Sequence, residues 1–173
     1  MKNNPKIIVI TGAESTGKSE LATKLANYFN VPFIPELARD YVEKLDRKYN
    51  YSDIENIARE QTEQISALKK QNTPLVFVDT WLIITKVWFE IVFQKSPDWI
   101  EQELRHTFID LFLVCHTDLP WIPDPVRENG GKQRLILQKM YIDNLNKYNF
   151  NYEIVTGTKE LRFKNALKHV SQL

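Results

Sequence analysis

The chain has 173 residues, 23 basic against 22 acidic, for a formal charge of +1 at pH 7. That length suits one domain, residues 1–173, around one sizeable core. The near-neutral balance lacks the concentrated basic face of a nucleic-acid or membrane-surface binder. Cys115 is the lone cysteine, so no internal disulfide can form and a reducing, cytoplasmic setting is expected. The N-terminal apolar run is too short for a signal peptide, and Lys86 and Glu90 interrupt the most apolar stretch, Trp81 to Phe93, so no membrane span is expected.

In chain order, the apolar run Ile7–Ile10 reads as a strand and leads into "GAESTGKS" at 12–19. Residues 18–29 then place Leu21, Ala22, Leu25, Ala26 and Phe29 on one helical face. Pro32–Ile34 reads as a short strand. A helix is expected over 52–71, opened by Ser52 and Glu55 as a capping box and carrying Ile54, Ile57, Ala58, Ile65 and Leu68 inward. Leu75–Val78 is the third strand. Ser96 and Pro97 read as N-cap and first residue of a helix reaching about His106. Leu111–Val114 is the fourth strand, followed by an irregular stretch, Thr117 to Gly131, with three prolines and two adjacent glycines. A helix over 132–147, a strand at Tyr152–Val155 and a helix over 159–172 complete the series. Strand runs without polar alternation suit a parallel sheet buried on both faces. With the intervening helices they predict an α/β three-layer domain.

"GAESTGKS" fits G-x-x-x-x-G-K-[ST] between a strand and a helix, the pattern of a phosphate-binding loop. Its backbone N–H groups cradle polyphosphate at a helix N-terminus, Lys18 reaches the β- and γ-phosphates, and the Ser19 hydroxyl suits Mg²⁺. The chain has only five glycines. Gly12 and Gly17 are in the motif, Gly130 and Gly131 end the irregular stretch, and Gly157 follows the last strand, where it serves either a ligand or an ordinary turn.

The C-terminal edge of a parallel sheet carries the site. Asp79, ending the third strand, is either the second Mg²⁺ contact or the N-cap of a helix. Glu36, ending the second, is a proton acceptor for an attacking hydroxyl, a cap for a helix starting at Leu37, or a surface partner of Arg39. The segment 117–134 reads as a lid bringing Arg127 and Arg134 over the phosphates, since phosphoryl transfer gains mainly from positioning and charge neutralisation. Trp121 either anchors that lid or stacks on a flat ligand ring. GTPase signatures are missing: no D-x-x-G follows the loop, and "LNKYN" at 145–149 is not N-K-x-D. A large motor or AAA ATPase would need more chain.

Taken together, "GAESTGKSELATKLA", "ELARDYV", "YSDI", "FVDTWLIIT" and Trp121-x-x-Asp124-x-x-Arg127 resemble the NadR-type ribosylnicotinamide kinase domain. That family lies close to the nucleoside and nucleotide kinases among phosphate-loop NTPases, within an AAA-type ATPase/kinase grouping. The resemblance runs from Ile7 to Arg134. It implies a five-stranded parallel sheet in the order 2-3-1-4-5 and ATP-dependent phosphorylation of the 5′-hydroxyl of nicotinamide riboside. On this reading Gly12, Ala13, Glu14, Ser15, Thr16, Gly17, Lys18, Ser19, Glu20 and Gly157 bind ATP, and Ser19 and Asp79 hold Mg²⁺. Glu14, Glu36, Arg39, Asp79, Trp121 and Asp124 face the acceptor, while Lys18, Glu36, Asp79, Arg127 and Arg134 carry catalysis. Pro123 and Pro125 stand where relatives commonly have an acid and a glycine, which stiffens the lid. There is no H-x-G-H, so adenylyl transfer is expected to be absent.

A carboxylate at Glu14, inside an anion cradle, argues for a cationic or neutral acceptor, because an anionic nucleotide would be repelled by Glu14, Glu36 and Asp79 together. The bland alternative turns Glu14 outward to an arginine such as Arg39. Two other functions remain open at this stage: a kinase for another small hydroxyl acceptor, and a non-catalytic ATP-sensing module. Small-molecule partners are expected in each case, and the oligomeric state is open.

Overall fold

Ile8, Val9 and Ile10 have no solvent exposure, as a strand covered on both faces requires. The computed structural model describes residues 4–123 and 130–173; of the expected site residues, Asp124 and Arg127 lie outside the described residues. The strands are β1 (Lys6–Thr11), β2 (Phe33–Ile34), β3 (Leu75–Asp79), β4 (Leu111–Cys115) and β5 (Tyr152–Val155). They form one sheet in the order β2-β3-β1-β4-β5, and all four pairings are parallel. This is the expected order.

Alternate residues of β1 feed two separate cores, as the two-residue period of a strand dictates. Ile8 and Ile10 pack with Leu21, Leu25, Ala166 and Val170, from α1 (Lys18–Phe29) and α7 (Lys159–Val170). Ile7 and Val9 join the larger core on the other face. That core is supplied by α3 (Tyr51–Leu68), α4 (Leu82–Phe93), α5 (Asp98–His106) and α6 (Lys132–Lys147). The short α2 (Leu37–Glu43) has no fully buried residue and packs on this second core through Leu37, Ala38, Tyr41 and Val42.

Several local expectations need correction. The capping box of α3 is Asn50 with Asp53, not Ser52 with Glu55: Asp53 N–H donates to Asn50 Oδ1 at 3.1 Å, and Asn50 N–H donates to Asp53 Oδ2 at 2.8 Å. Arg47 donates to both Asp53 oxygens and, with the Asn50 N–H, holds that carboxyl down at about 2. Pro97 is the N-cap of α5 rather than its first residue. The helices α3 and α7 end at Leu68 and Val170, short of 71 and 172.

Trp81 to Phe93, noted only for its hydrophobicity, contains a helix, α4, set against α3 and α6. Its interrupting lysine is not solvated. Lys86 is 2% exposed and pairs with Glu90 one turn on and with Glu101 of α5 at 3.4 Å. No described helix is long and apolar enough to cross a membrane.

Candidate active site

The phosphate loop leaves the C-terminal end of β1 and turns into α1. Gly12 has φ 143°, and a Cβ there would stand 2.7 Å from the Cys115 carbonyl oxygen, so only glycine lets the loop cross β4 this closely. Gly17, with φ 74°, is the N-cap of α1 and offers no side-chain cap, leaving the first-turn amides to a ligand. Thr16 Oγ1 and Lys18 Nζ both donate to the Ala13 carbonyl, at 2.8 and 3.0 Å. Beneath the loop, burial pushes the Cys115 thiol up to about 11 although Arg162 and Lys18 oppose it, so it is held as an unreactive thiol.

Asp79 ends β3 in register with Ile10, which sets it beside the loop. It is 1% exposed, accepts a hydrogen bond from the Ser19 hydroxyl, and has no hydrogen-bond partner on Oδ1. Burial raises its carboxyl to about 6; Lys18 and the Ser19 hydroxyl oppose the rise, and the Glu36 charge adds to it. It is not a helix cap, because Trp81 occupies that position on α4. Next to it Thr80, a β-branched residue, sits at φ 65° with its N–H on the Ile10 carbonyl at 2.9 Å. Such a residue in the left-handed region is an outlier of the kind that clusters at functional sites. Paired with the Ser19 hydroxyl, the buried, underused carboxylate oxygen of Asp79 is a hard-oxygen donor set suited to Mg²⁺.

A cavity of about 460 Å³ opens from the loop. Glu14, Ser15, Thr16, Gly17, Lys18, Ser19 and Glu20 of the loop line it, as do Glu36 and Arg39. Glu36 occupies the N-cap position of α2 but makes no capping hydrogen bond with its side chain, which faces the cavity instead. Arg39 donates to Glu43 at 2.8 Å, and Glu20 pairs with Lys24 at 2.7 Å. Glu14 is half-buried on the cavity wall. Its charge, with that of Glu36, adds to the burial that raises the Tyr141 phenol.

The aromatic part of the lining was not legible in the sequence. Tyr49, Ile84, Trp88, Leu137 and Tyr141 make an apolar slot, with Tyr49 edge-on to Trp88 at 4.8 Å between ring centroids. These residues come from the segment before α3 and from α4 and α6. Aromatic residues at helical spacing read first as core, and only the assembled fold turns these toward a cavity.

Other expected residues fall elsewhere. Trp121 does not line the cavity; its indole carbons stand 3.0 Å from where a Cβ on Gly130 would be, so the ring packs against the Gly130 backbone. Ser15 Oγ and the Ile122 backbone exchange contacts of 3.2 Å, tying this segment to the phosphate loop. Gly157, at φ 93°, also lies off the large cavity: its N–H donates to Asp118 at 2.6 Å and its carbonyl accepts from Arg162 at 2.8 Å. Arg134 is 5% exposed and donates to the carbonyls of Leu119 and Ser15, at 2.9 and 3.2 Å, rather than lining the cavity.

Comparison with known proteins agrees with this geometry. The chain is 27% identical over 174 residues to the trifunctional NAD biosynthesis/regulator protein NadR of Salmonella typhimurium; the match takes in 97% of this chain and 42% of that protein. The chain thus spans less than half the length of that curated relative. A solved NadR protein in complex with NR superposes with a TM-score of 0.78 at 22% identity, over 97% of this chain and 49% of that one. Thymidylate kinase from Ehrlichia chaffeensis superposes with a TM-score of 0.67 at 14% identity, over 99% of this chain and all of that one. Residues 7–162 match the model of an AAA domain family, AAA_28, and with the phosphate loop and the β2-β3-β1-β4-β5 sheet in place, the chain belongs to that family.

Proposed function

We propose that this protein is an ATP-dependent kinase that phosphorylates the 5′-hydroxyl of nicotinamide riboside, giving nicotinamide mononucleotide. The observation that carries the reading is that one cavity is lined by the phosphate loop, by Glu14 and Glu36 and by Tyr49, Trp88 and Tyr141. Its volume of about 460 Å³ is in the range of small-molecule sites. A flat pyridinium suits the aromatic slot, where ring faces attract cations. Carboxylates at Glu14 and Glu36 add attraction for the same charge and repel an anionic nucleotide acceptor. The similarity to NadR over 97% of this chain supports the choice of nicotinamide riboside.

In this reading the loop amides and Lys18 bind the ATP phosphates and neutralise charge on the transferred group. Glu36, on the cavity wall, takes the proton of the 5′-hydroxyl as its oxygen bonds to the γ-phosphorus and the bond from that phosphorus to the ADP oxygen breaks. Asp79 is committed to Ser19, and these two residues would hold Mg²⁺, which when bound supplies further neutralisation of the phosphates. Trp88 and Tyr49 orient the ring, and with it the ribose hydroxyl.

Acceptor-dependent ADP release across a panel of ribosides tests the proposal. Turnover greatest with nicotinamide riboside supports it. Turnover greatest with a neutral nucleoside assigns the fold to another acceptor, and ATP binding without any acceptor-dependent release makes the protein a nucleotide sensor.

A further inference from the structure

Ser15 and Thr16 are consecutive in the phosphate loop, and the carbonyl of each is held by a different buried arginine. Arg134 Nη2 donates to Ser15 O at 3.2 Å, and Arg162 Nη1 donates to Thr16 O at 2.9 Å. The two side chains are 5% and 4% exposed, come from α6 and α7, and do not line the cavity. Each is fixed by further acceptors. Arg134 Nη1 donates to Leu119 O at 2.9 Å. Arg162 Nε donates to Gly157 O at 2.8 Å and Nη2 to His116 O at 3.2 Å, while Asp118 pairs with the same guanidinium. Asp118 in turn accepts the Gly157 N–H at 2.6 Å.

A trans peptide is planar, so its C=O and the following N–H point in opposite directions. Carbonyls of Ser15 and Thr16 drawn back onto the guanidiniums therefore turn the N–H groups of Thr16 and Gly17 away from them. Thr16 and Gly17 both line the cavity. Successive amides aligned in this way form an anion-binding concavity. We propose that Arg134 and Arg162 are positioning residues of the phosphate cradle, acting through the Ser15 and Thr16 carbonyls to hold two successive amides ready for polyphosphate.

This role rests on the kinase reading and departs from the expectation that Arg134 arches over the phosphates from a lid. It also gives the two buried charges a reason. Burial pulls the Arg134 guanidinium below its ordinary value; Glu14 opposes this, Arg162 adds to it, and Asp118 again opposes. Two like charges are thus pressed together behind the loop with Glu14 and Asp118 as counter-charges, and a polyphosphate in front of the loop adds more. Glu14 accordingly has a second effect besides facing the acceptor: it helps keep a buried cation in place while the cradle is empty.

The test compares wild type, R134K and R162K by calorimetric binding of MgATP, magnesium tripolyphosphate and nicotinamide riboside, with circular dichroism as a check on folding. Lysine keeps the charge but lacks the planar fork that spans two carbonyls. Each variant is expected to bind ATP and tripolyphosphate more weakly by the same factor, about tenfold, with riboside affinity unchanged. Wild-type ATP affinity in the folded variants would overturn the proposal. So would equal losses for ATP and riboside, which mark a general structural role, or a loss for ATP that tripolyphosphate does not share. If one variant fails to fold, the other decides. If wild type itself binds no ATP, the kinase reading falls and this role with it; intact wild-type binding with unaffected variants removes only the role of the arginines.

Discussion

Two parts of the cavity wall are built in opposite ways. The phosphate part is contiguous in sequence: residues 14–20 supply it, held by β1 and α1 and, from behind, by Arg134 and Arg162. The acceptor part is assembled from Glu36 and Arg39 of the β2–α2 region, Tyr49 before α3, Trp88 of α4 and Tyr141 of α6. On the proposed kinase reading, the first part would recognise its ligand largely with backbone amides, whose geometry depends on where glycine and a few anchors stand. The second would use side chains brought together from four segments. That reading predicts that phosphate binding and acceptor choice are separable, so mutations in the two parts should show different kinetic signatures.

The largest effect is expected in the phosphate part. Lys18 is only half-buried and belongs to neither core, so Lys18→Ala should leave the melting temperature nearly unchanged while raising the barrier by about 3 kcal/mol or more. Near-normal kcat in that variant would remove the phosphate-loop assignment. Glu36→Gln should lower kcat by about a hundredfold with ATP affinity unchanged, the usual size for loss of a general base. Equal kcat in variant and wild type would return the proton to Asp79 or to water.

Asp79 adds a pH signature. Its folded-state value of about 6 lies above the ordinary ~3.9, so the folded, metal-free protein holds this proton more tightly than the unfolded chain does. The stability that protonation adds is complete below about pH 4 and is lost as pH rises through about 6. Asp79→Asn has no such loss. By denaturant titration without metal it should be more stable than wild type by about 2 kcal/mol at neutral pH, the gap closing towards about pH 4. Its Mg²⁺ requirement for turnover should rise in parallel. A stability gap that does not vary with pH would contradict the buried-carboxyl account.

In the acceptor part, Trp88→Ala removes one wall of the slot. A stacked or cation–π contact of about 1–2 kcal/mol corresponds to roughly a tenfold loss in kcat/KM for the riboside. The KM for ATP should not move. A matched rise in both KM values would mean that Trp88 supports the fold rather than the ligand.

The same division governs what could be read from the sequence. All five strands and the loop were legible, because continuous apolar runs and a glycine-spaced motif are local signals. The helix α4 was not, since "LIITKVWFEIVF" is apolar nearly all round and gives no stripe to count. Lys86 and Glu90 were read only as interruptions of the apolar stretch, whereas Lys86 pairs with Glu90 and with Glu101 of another helix. Arg134 was singled out for its glycine-rich neighbourhood but not for the carbonyls it holds, and Arg162 sits on the inward face of an ordinary amphipathic helix with nothing local to mark it. Tyr49, Trp88 and Tyr141 are separated by 39 and 53 positions in the chain, and only the packing of α4 against both α3 and α6 brings them to one cavity.

The central claim is that the carboxylates and aromatic rings lining the cavity together read a positive charge on the acceptor. The direct measurement is kcat/KM for oxidised nicotinamide riboside and for its neutral dihydropyridine counterpart, in wild type and Glu14→Gln, at two ionic strengths. The two ribosides differ little in size, and a charge pair about 6 Å apart at an effective dielectric near 20 is worth roughly 2–3 kcal/mol before desolvation. About 1 kcal/mol should survive in the difference, giving wild type a several-fold preference for the cation. Glu14→Gln should shrink that preference more than it weakens ATP binding, and added salt should shrink it in wild type. An oxidised-to-reduced ratio that is identical in both proteins would contradict the claim for Glu14, and a wild-type ratio near unity would contradict it for the site as a whole.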